Sequence, residues 1–156
     1  MSREELAAEL GAEVRAGQAT VDALDEAVAT RLGVNRTDLR CLDLLLNELG
    51  QAATPGQLGI RLGLTTGSVT AMVDRLTRLG YVTRSRDPDD RRKVVVRPTP
   101  LAHRRAGELY GPMAAAGAAL LDAYTPAELR LLIDFTRRSR ELQEQYLSQV
   151  RHEQTP

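Results

Sequence analysis

The sequence predicts a mainly α-helical fold with one short β-hairpin, which forms a small wing. Apolar residues recur at helical spacing along most of the chain, whereas residues 81–86 and 93–97 have the alternating or β-branched pattern of strands. The run 87–92 that joins these two segments is rich in turn-forming residues and in arginine. A short helix, a second helix and a basic hairpin, in that order, are the parts of a winged helix-turn-helix.

The charge of the chain is concentrated in its middle. The 156 residues have a formal net charge of zero, yet eleven basic residues and four aspartates lie between Arg61 and Arg105, a balance of +7. The rest of the chain therefore carries −7. A basic middle segment between acidic flanks fits local contact with a polyanion such as nucleic acid, although basic surfaces also occur without one.

Composition also limits where the protein works. The single cysteine excludes an internal disulfide, and the charged N-terminus does not resemble a signal peptide. No apolar run approaches the roughly 20 residues that a membrane span needs. We therefore expect a soluble, cytoplasmic protein with no membrane partner.

The first two predicted helices span residues 2 to about 31 and 35 to about 49. The first has a heptad-like apolar seam, which suits either helix pairing or core packing. The second begins at a likely cap, Asn35, ends at Gly50, and contains Cys41 among leucines. A cysteine in such a place is most often a small buried hydrophobe, because redox sensing requires exposure and a lowered pKa. The seam consists of Leu10, Val14, Gly17, Val21, Leu24 and Val28.

The next two helices form the predicted helix-turn-helix. Thr54, Pro55 and Gln57 are a helix-start signal for a short helix that Gly63 stops. Thr65 is the predicted cap of the fourth helix. Its apolar face comprises Val69, Met72 or Val73, Leu76 and Leu79.

The opposite face of the fourth helix carries small and hydroxylated residues near its N-terminus. Short side chains let a helix approach a DNA groove closely, and hydroxyls can meet phosphates or base edges. An ordinary solvated helix surface is the alternative. This face consists of Thr66, Gly67, Ser68, Thr70, Ala71, Asp74, Arg75 and Arg78.

The hairpin tip carries adjacent arginines, Arg91 and Arg92. Such a pair commonly faces solvent, but after a recognition helix it resembles a wing that reaches the DNA backbone or minor groove. Neighbouring aspartates could orient these arginines by charge-assisted hydrogen bonds.

Two further helices complete the chain. One opens at Pro98-Thr99-Pro100, and Gly111-Pro112 should kink or break it. The last begins at a capping box formed by Thr125 and Glu128 and runs to about Val150. The long terminal helices lack obvious partners within so small a domain, and a symmetric dimer would bury them.

The order of the elements and their residues resemble the MarR family of bacterial transcription regulators. The most specific feature is aspartate-arginine-arginine in the wing, at this distance from the recognition helix. The residues that carry the resemblance are Leu64-Thr65, Val69-Thr70, Val73-Asp74-Arg75-Leu76, Gly80-Tyr81-Val82, the run from Arg86 to Arg92, and Val94 to Val96.

The resemblance implies a single domain, 1–156, with a winged helix-turn-helix core at 35–100 and dimerisation helices at 1–32 and 101–152. It implies a homodimeric, sequence-specific DNA-binding regulator, expected to be a ligand-responsive repressor of a pseudo-palindromic operator. Family members commonly release DNA on binding a small phenolic or other aromatic ligand, for which the sequence identifies no residues. The predicted contacts with double-stranded DNA are Thr54, Thr65, Thr66, Ser68, Thr70, Arg75, Arg86, Asp90, Arg91 and Arg92.

The sequence departs from the family pattern after the second wing strand, where Pro98-Thr99 and Ala102 stand in place of leucine-threonine and glycine. Cys41 lies later than the peroxide-sensing cysteine of one branch of the family, so that role transfers poorly.

The sequence gives less support to an enzyme or to a metal-binding protein. His103 and His152 are the only histidines, and neither lies in a recognisable catalytic or zinc-binding motif. We predict no enzyme activity, cofactor or metal. The main alternative is a winged-helix protein-interaction module that does not bind DNA, but the +7 segment and the Asp90-Arg91-Arg92 motif argue against it.

Overall fold

The computed structural model of the protein describes residues 1–50, 52–87, 90 and 92–153. The chain divides into two compact units, Met1–Leu109 and Tyr110–Pro156, so the division falls inside a helix. The elements, in chain order, are α1 (Arg3–Leu32), α2 (Arg36–Asp43), a π-helical segment (Leu44–Glu48), α3 (Pro55–Leu62), α4 (Thr66–Arg78), β1 (Val82–Arg86), β2 (Val94–Pro98), α5 (Pro100–Leu121) and α6 (Pro126–Glu153).

Side-chain caps set the starts of the helices, and the four predicted caps are confirmed. Asn35, Thr54, Thr65 and Thr125 each accept a hydrogen bond from the backbone amide three residues further along. Each cap satisfies a donor that the first helical turn would otherwise leave unpaired. Because this chemistry is local, the four-residue sequence pattern is enough to place the start of the helix.

The core of the first unit lies where α2, α3 and α4 meet the hairpin. Four leucines of the second predicted helix pack in this core, although the end of that helix is π-helical: Leu42, Leu45, Leu46 and Leu49. The predicted apolar face of α4 is buried except at Leu79, which was predicted to be buried but is 39% exposed. Leu79 is the C-terminal cap of α4, so it lies at the point where the helix and its buried face both end. Fully buried core residues are Leu45, Leu58, Val69, Met72, Val73, Leu76, Val82 and Val96.

The hairpin is an antiparallel pair whose register runs from Val82 opposite Pro98 to Arg86 opposite Val94. Both predicted strands are confirmed, with boundaries shifted by one residue. Ala53 pairs with Val96 from the other side, through backbone hydrogen bonds of 3.0 and 2.8 Å. This bridge ties the wing to the residue just before the cap of α3.

The second unit consists of the later part of α5 and α6. A kink or a break was predicted at Gly111-Pro112, and a break is wrong, because α5 continues as a helix from Pro100 to Leu121 with Pro112 inside it. Proline removes one amide donor, and helical structure continues on both sides of it. Of the α6 side chains described, as far as Val150, none is buried. Large apolar side chains exposed in this unit include Met113, Leu120, Leu131, Ile133, Phe135, Leu142 and Tyr146.

Helix α1 belongs to the first unit. Its C-terminal turns are anchored, with Val28 and Ala29 buried, while Leu6, Leu10 and Val21 are exposed. Half of the predicted seam, at Leu10, Gly17 and Val21, is therefore exposed along the single chain. Within the described residues, no helix is both long and apolar enough to cross a membrane.

Candidate nucleic-acid interface

The N-terminal half of α4 presents an exposed, hydroxyl-rich face. Burial of its inner face turns Thr66, Ser68 and Thr70 toward solvent. The Thr65 hydroxyl accepts from the Ser68 amide at 3.3 Å and lies 2.9 Å from the Ser68 hydroxyl. The Thr70 hydroxyl donates to the Thr66 carbonyl at 3.0 Å. These bonds fix the hydroxyl oxygens on the outer face, where each can still accept a further hydrogen bond.

Helix α3 packs tightly against α4. A side chain at Gly59 would place its Cβ 3.3 Å from both the Leu64 carbonyl oxygen and a methyl of Val69. At the N-terminus of α3, Thr54 and Gln57 form a capping box. The Thr54 amide donates to the Gln57 side-chain oxygen at 2.8 Å, so the start of α3 is rigidly defined.

Arg75, one of the predicted DNA contacts, makes a bidentate contact within the protein. Its Nε and Nη2 atoms donate to the two carboxylate oxygens of Asp38, each at 2.6 Å. Asp38 is fully buried and also accepts from the Asn35 amide at 3.2 Å. The hydrogen bond to Asp38 raises the pKa of the Arg75 guanidinium. Arg75 sits at the border of the buried face, so it holds α4 to the start of α2, and we assign it that structural role.

Arg84 makes a contact that the sequence analysis did not anticipate. This β1 residue reaches α4, where its Nη2 donates to the Thr70 carbonyl at 3.3 Å and to an Asp74 carboxylate oxygen at 2.8 Å. The two contacts hold the first wing strand against the exposed face of α4. The partners are ten and fourteen positions away in sequence, and no local motif marks them.

The tip of the wing is organised around Asp90. Its carboxylate accepts from the Arg92 amide at 3.1 Å and from Arg92 Nε at 3.4 Å, and Lys93 Nζ lies 3.9 Å away. The Asp90 amide in turn donates to the Asp87 side chain at 3.1 Å. The Arg92 side chain is 93% exposed. The expectation that aspartates orient the wing arginines is therefore supported for Arg92.

Arg86 and Arg91 are the other two arginines predicted to contact DNA from the wing. Arg86 is exposed at the end of β1, opposite Val94. Arg91, with the neighbouring Pro88 and Asp89, lies outside the described residues.

Cys41 is buried in the core beside Asp38. Burial, and secondarily the negative charge of Asp38, raise the pKa of its thiol to about 12. A thiol in that state holds its proton at neutral pH and is a poor nucleophile. The interpretation of Cys41 as a small buried hydrophobe fits this environment.

Comparison with known proteins places this arrangement in a family. A family model described as the MarR family matches residues 32–93. A Bacillus subtilis protein described as an uncharacterized HTH-type transcriptional regulator, YcgE, is 40% identical over 126 residues, covering 81% of this chain and 80% of the relative. The chain belongs to the MarR family. A second B. subtilis regulator, YkoM, is 35% identical over 78 residues, half of this chain.

Solved structures agree with this assignment. A MarR family protein from Bacillus stearothermophilus is 25% identical, with a TM-score of 0.62 over 94% of this chain and 99% of its own. The apo form of Escherichia coli MarR has a TM-score of 0.57 at 22% identity, over 83% of this chain and 96% of its own, and shows the shared fold. The predicted winged helix-turn-helix is thus confirmed, and the protein is a MarR-family transcriptional regulator, a class distinct from enzymes.

Proposed function

We propose that this MarR-family regulator is a homodimer that binds a pseudo-palindromic operator and represses transcription until a small ligand releases it. The observation that carries the proposal is the exposed hydroxyl face of α4, onto whose edge Arg84 docks the wing. The protein would work in the cytoplasm, with the DNA it binds.

The proposed DNA contacts fall into two groups. Thr66, Ser68 and Thr70 on α4 suit base edges in the major groove, because all three are exposed, and local hydrogen bonds fix the hydroxyls of Ser68 and Thr70. Thr54 and Thr65 suit phosphate contacts, because each caps the N-terminus of a helix, where backbone amides of the first turn can bind an anion.

The second group is in the wing, where Arg86, Arg91 and Arg92 would contact the backbone or the minor groove. Asp90 would act by orienting Arg92.

Dimerisation is supported by the apolar surface that one copy leaves open. Leu6, Leu10 and Val21 are exposed on α1, and the second unit exposes a large set of apolar side chains. Surfaces of this kind mark association sites, and a two-fold axis would let the same faces cover one another. Dimerisation would also supply the two recognition helices that half-sites about one DNA turn apart require.

A ligand site is supported by a pocket of about 340 Å³ within the first unit. The Tyr81 hydroxyl at its wall donates to the Leu32 carbonyl at 3.0 Å, and Arg105 Nη1 contacts Glu108 at 3.0 Å. Its lining combines cationic, aromatic and apolar groups with one carboxylate, Glu108, and its two arginines suit a small aromatic acid. The lining residues are Arg31, Leu32, Tyr81, Arg105, Glu108 and Leu109.

The test is fluorescence anisotropy with a duplex from immediately upstream of the protein's own gene, at two salt concentrations, with excess random competitor. We expect tight binding that resists competitor and has a steep salt dependence. Aromatic acids added to that complex should then release the DNA. An absence of binding even at low salt would contradict the proposal and favour a protein-interaction module.

A further inference from the structure

The exposed face of α4 carries one acidic residue, Asp74, among groups proposed to approach DNA. Its side chain is 57% exposed, and its carboxylate holds Arg84 from β1 at 2.8 Å. The Arg84 side chain is 37% exposed and also donates to the Thr70 carbonyl at 3.3 Å. Asp74 thus binds an arginine within the surface that we propose for DNA contact.

Stability alone does not explain this carboxylate. Exposed ion pairs contribute little to folding, because solvent screens them and ordering two side chains carries an entropic cost. On a surface that faces phosphates, a carboxylate also repels the ligand. Asp74 therefore weakens electrostatic attraction to DNA twice, by its own charge and by engaging that of Arg84.

We propose that Asp74 is a specificity-determining residue, which keeps Arg84 on the recognition helix and withholds its charge from DNA phosphates. The inference rests on the proposed DNA-binding function. Binding to random DNA depends on phosphate contacts, so it loses one when Arg84 stays with Asp74. Binding to the operator depends on base contacts, which require the wing and α4 to keep a fixed arrangement.

The same ion pair therefore acts on the two kinds of DNA in opposite directions. For a random duplex, the ion pair makes the Arg84 guanidinium unavailable for contact with a phosphate. For the operator it holds β1 against the backbone of Thr70, one of the residues proposed to read bases. The ratio of the two affinities is the quantity that Asp74 controls.

The experiment compares the wild-type protein with Asp74→Asn by anisotropy, on the upstream duplex and on a random duplex, over a salt series. In Asp74→Asn we expect binding to the random duplex to tighten about two- to fivefold, the range that corresponds to an exposed ion pair. For the random duplex, the slope of log affinity against log salt concentration should steepen by about 0.9 in Asp74→Asn, the value for one added phosphate contact. Binding to the upstream duplex should stay the same or weaken.

A double variant separates the two ways in which Asp74 could act. In an Arg84→Gln background, Asp74→Asn should give a much smaller gain on random DNA and should not steepen the salt slope, because the withheld arginine is gone and only the repulsion by Asp74 is removed. If the full gain persists there, Asp74 acts only as a repulsive charge and the proposal is overturned. Asp74→Glu, which keeps the carboxylate, should retain most of the wild-type affinity ratio.

Asp134→Asn in α6 is the matched control. Asp134 also pairs with an exposed arginine, Arg138, at 3.0 Å, but in the second unit. This variant should leave the affinity ratio unchanged, and thermal unfolding by circular dichroism should show that all variants fold. The inference is wrong, while the proposed function stands, if the wild-type protein prefers the upstream duplex but Asp74→Asn does not change that preference. This is the result if the variant binds both duplexes more tightly by the same factor, or binds neither more tightly. If the wild-type protein binds neither duplex, the proposed function fails and the inference falls with it.

Discussion

Asp38 is a fully buried carboxylate with partners from two elements. It accepts from the amide of Asn35 at the start of α2 and from Nε and Nη2 of Arg75 in α4. The bidentate geometry gives direction as well as energy, because two parallel bonds fix the relative rotation of the groups. One residue pair therefore sets where α4 lies against α2.

Replacing Arg75 with alanine should destabilise the protein strongly, because Asp38 would stay buried without its cation. We expect a loss of about 3 kcal/mol in the free energy of unfolding, the lower end for a broken buried pair because Arg75 is partly exposed. Urea unfolding followed by circular dichroism measures it. Arg78→Ala, an exposed neighbour on α4, is the control and should change stability by less than about 0.5 kcal/mol. Equal losses in the two variants would show that the Asp38 pair has no special role.

Cys41 should resist alkylation in the folded protein, since its thiol is buried and its pKa is raised to about 12. Mass spectrometry after iodoacetamide treatment at pH 8 should show little labelling without denaturant and complete labelling in urea. Fast labelling of the folded protein would contradict the assignment of Cys41 to the core.

The same pKa shift predicts how stability varies at alkaline pH. The ordinary thiol pKa is 9.0, so above that pH the unfolded chain loses a proton that the folded chain retains. This contribution to stability is complete below pH 9 and declines as the pH rises toward 12. Cys41→Ala should therefore flatten the fall in unfolding free energy between pH 9 and 11 relative to the wild-type protein.

At the scale of elements, the wing and α4 are proposed to do different work. Replacing Arg92, whose side chain is almost wholly exposed, should weaken binding to operator and random DNA alike. The slope of log affinity against log salt should flatten by about 0.9 if Arg92 contacts one phosphate. Anisotropy over a salt series measures this slope, and an unchanged slope would remove Arg92 from the interface.

Replacing Ser68 or Thr70 with alanine should alter sequence preference instead. If either hydroxyl meets a base edge, discrimination at one base-pair position should fall by about 1–3 kcal/mol, with little change in the salt slope. Competition with single-base operator variants locates that position. A uniform loss over all variants would indicate a positioning role.

The sequence was most informative where structure depends on neighbours along the chain. The caps at Asn35, Thr54, Thr65 and Thr125 and the apolar faces of α2 and α4 were predictable, because a few adjacent residues determine them. The contact between Arg75 and Asp38 joins positions 37 residues apart. It appears only when α2 and α4 pack, so the helical pattern gave Arg75 a place on the outer face.

At the scale of the whole molecule, the apolar residues exposed on α6 form part of the surface proposed to be buried in a homodimer. Replacing Leu131 or Leu142 with glutamate should dissociate the proposed homodimer, because each substitution would place a charge in an apolar interface. Sedimentation velocity over a range of concentrations measures the change. Ile60→Glu is the matched control, because Ile60 is 85% exposed but lies on α3. A wild-type protein that sediments as a monomer at all concentrations would exclude the dimer.

The sequence predicted the exposed apolar surface of α1 only as one of two alternatives. The heptad-like seam of α1 was consistent with core packing or with helix pairing, and the structure leaves Leu10 and Val21 exposed. Pro112 misled for a different reason, since proline removes one hydrogen bond while a long helix can continue without it. The exposure of Leu10 and Val21 does not follow from local sequence, because it depends on which elements pack against α1.

The packing of α4 has a practical consequence for redesign. Side chains that hold the helix in place, from Val69 to Leu76 on the inner face, are a different set from the exposed residues at positions 66, 68, 70 and 71. A combinatorial library confined to those four outer positions would vary recognition while leaving the supporting core intact. The residues that we propose to read DNA are thus separate from those that stabilise the fold, which is the property required of a regulator that is to be retargeted to a new promoter.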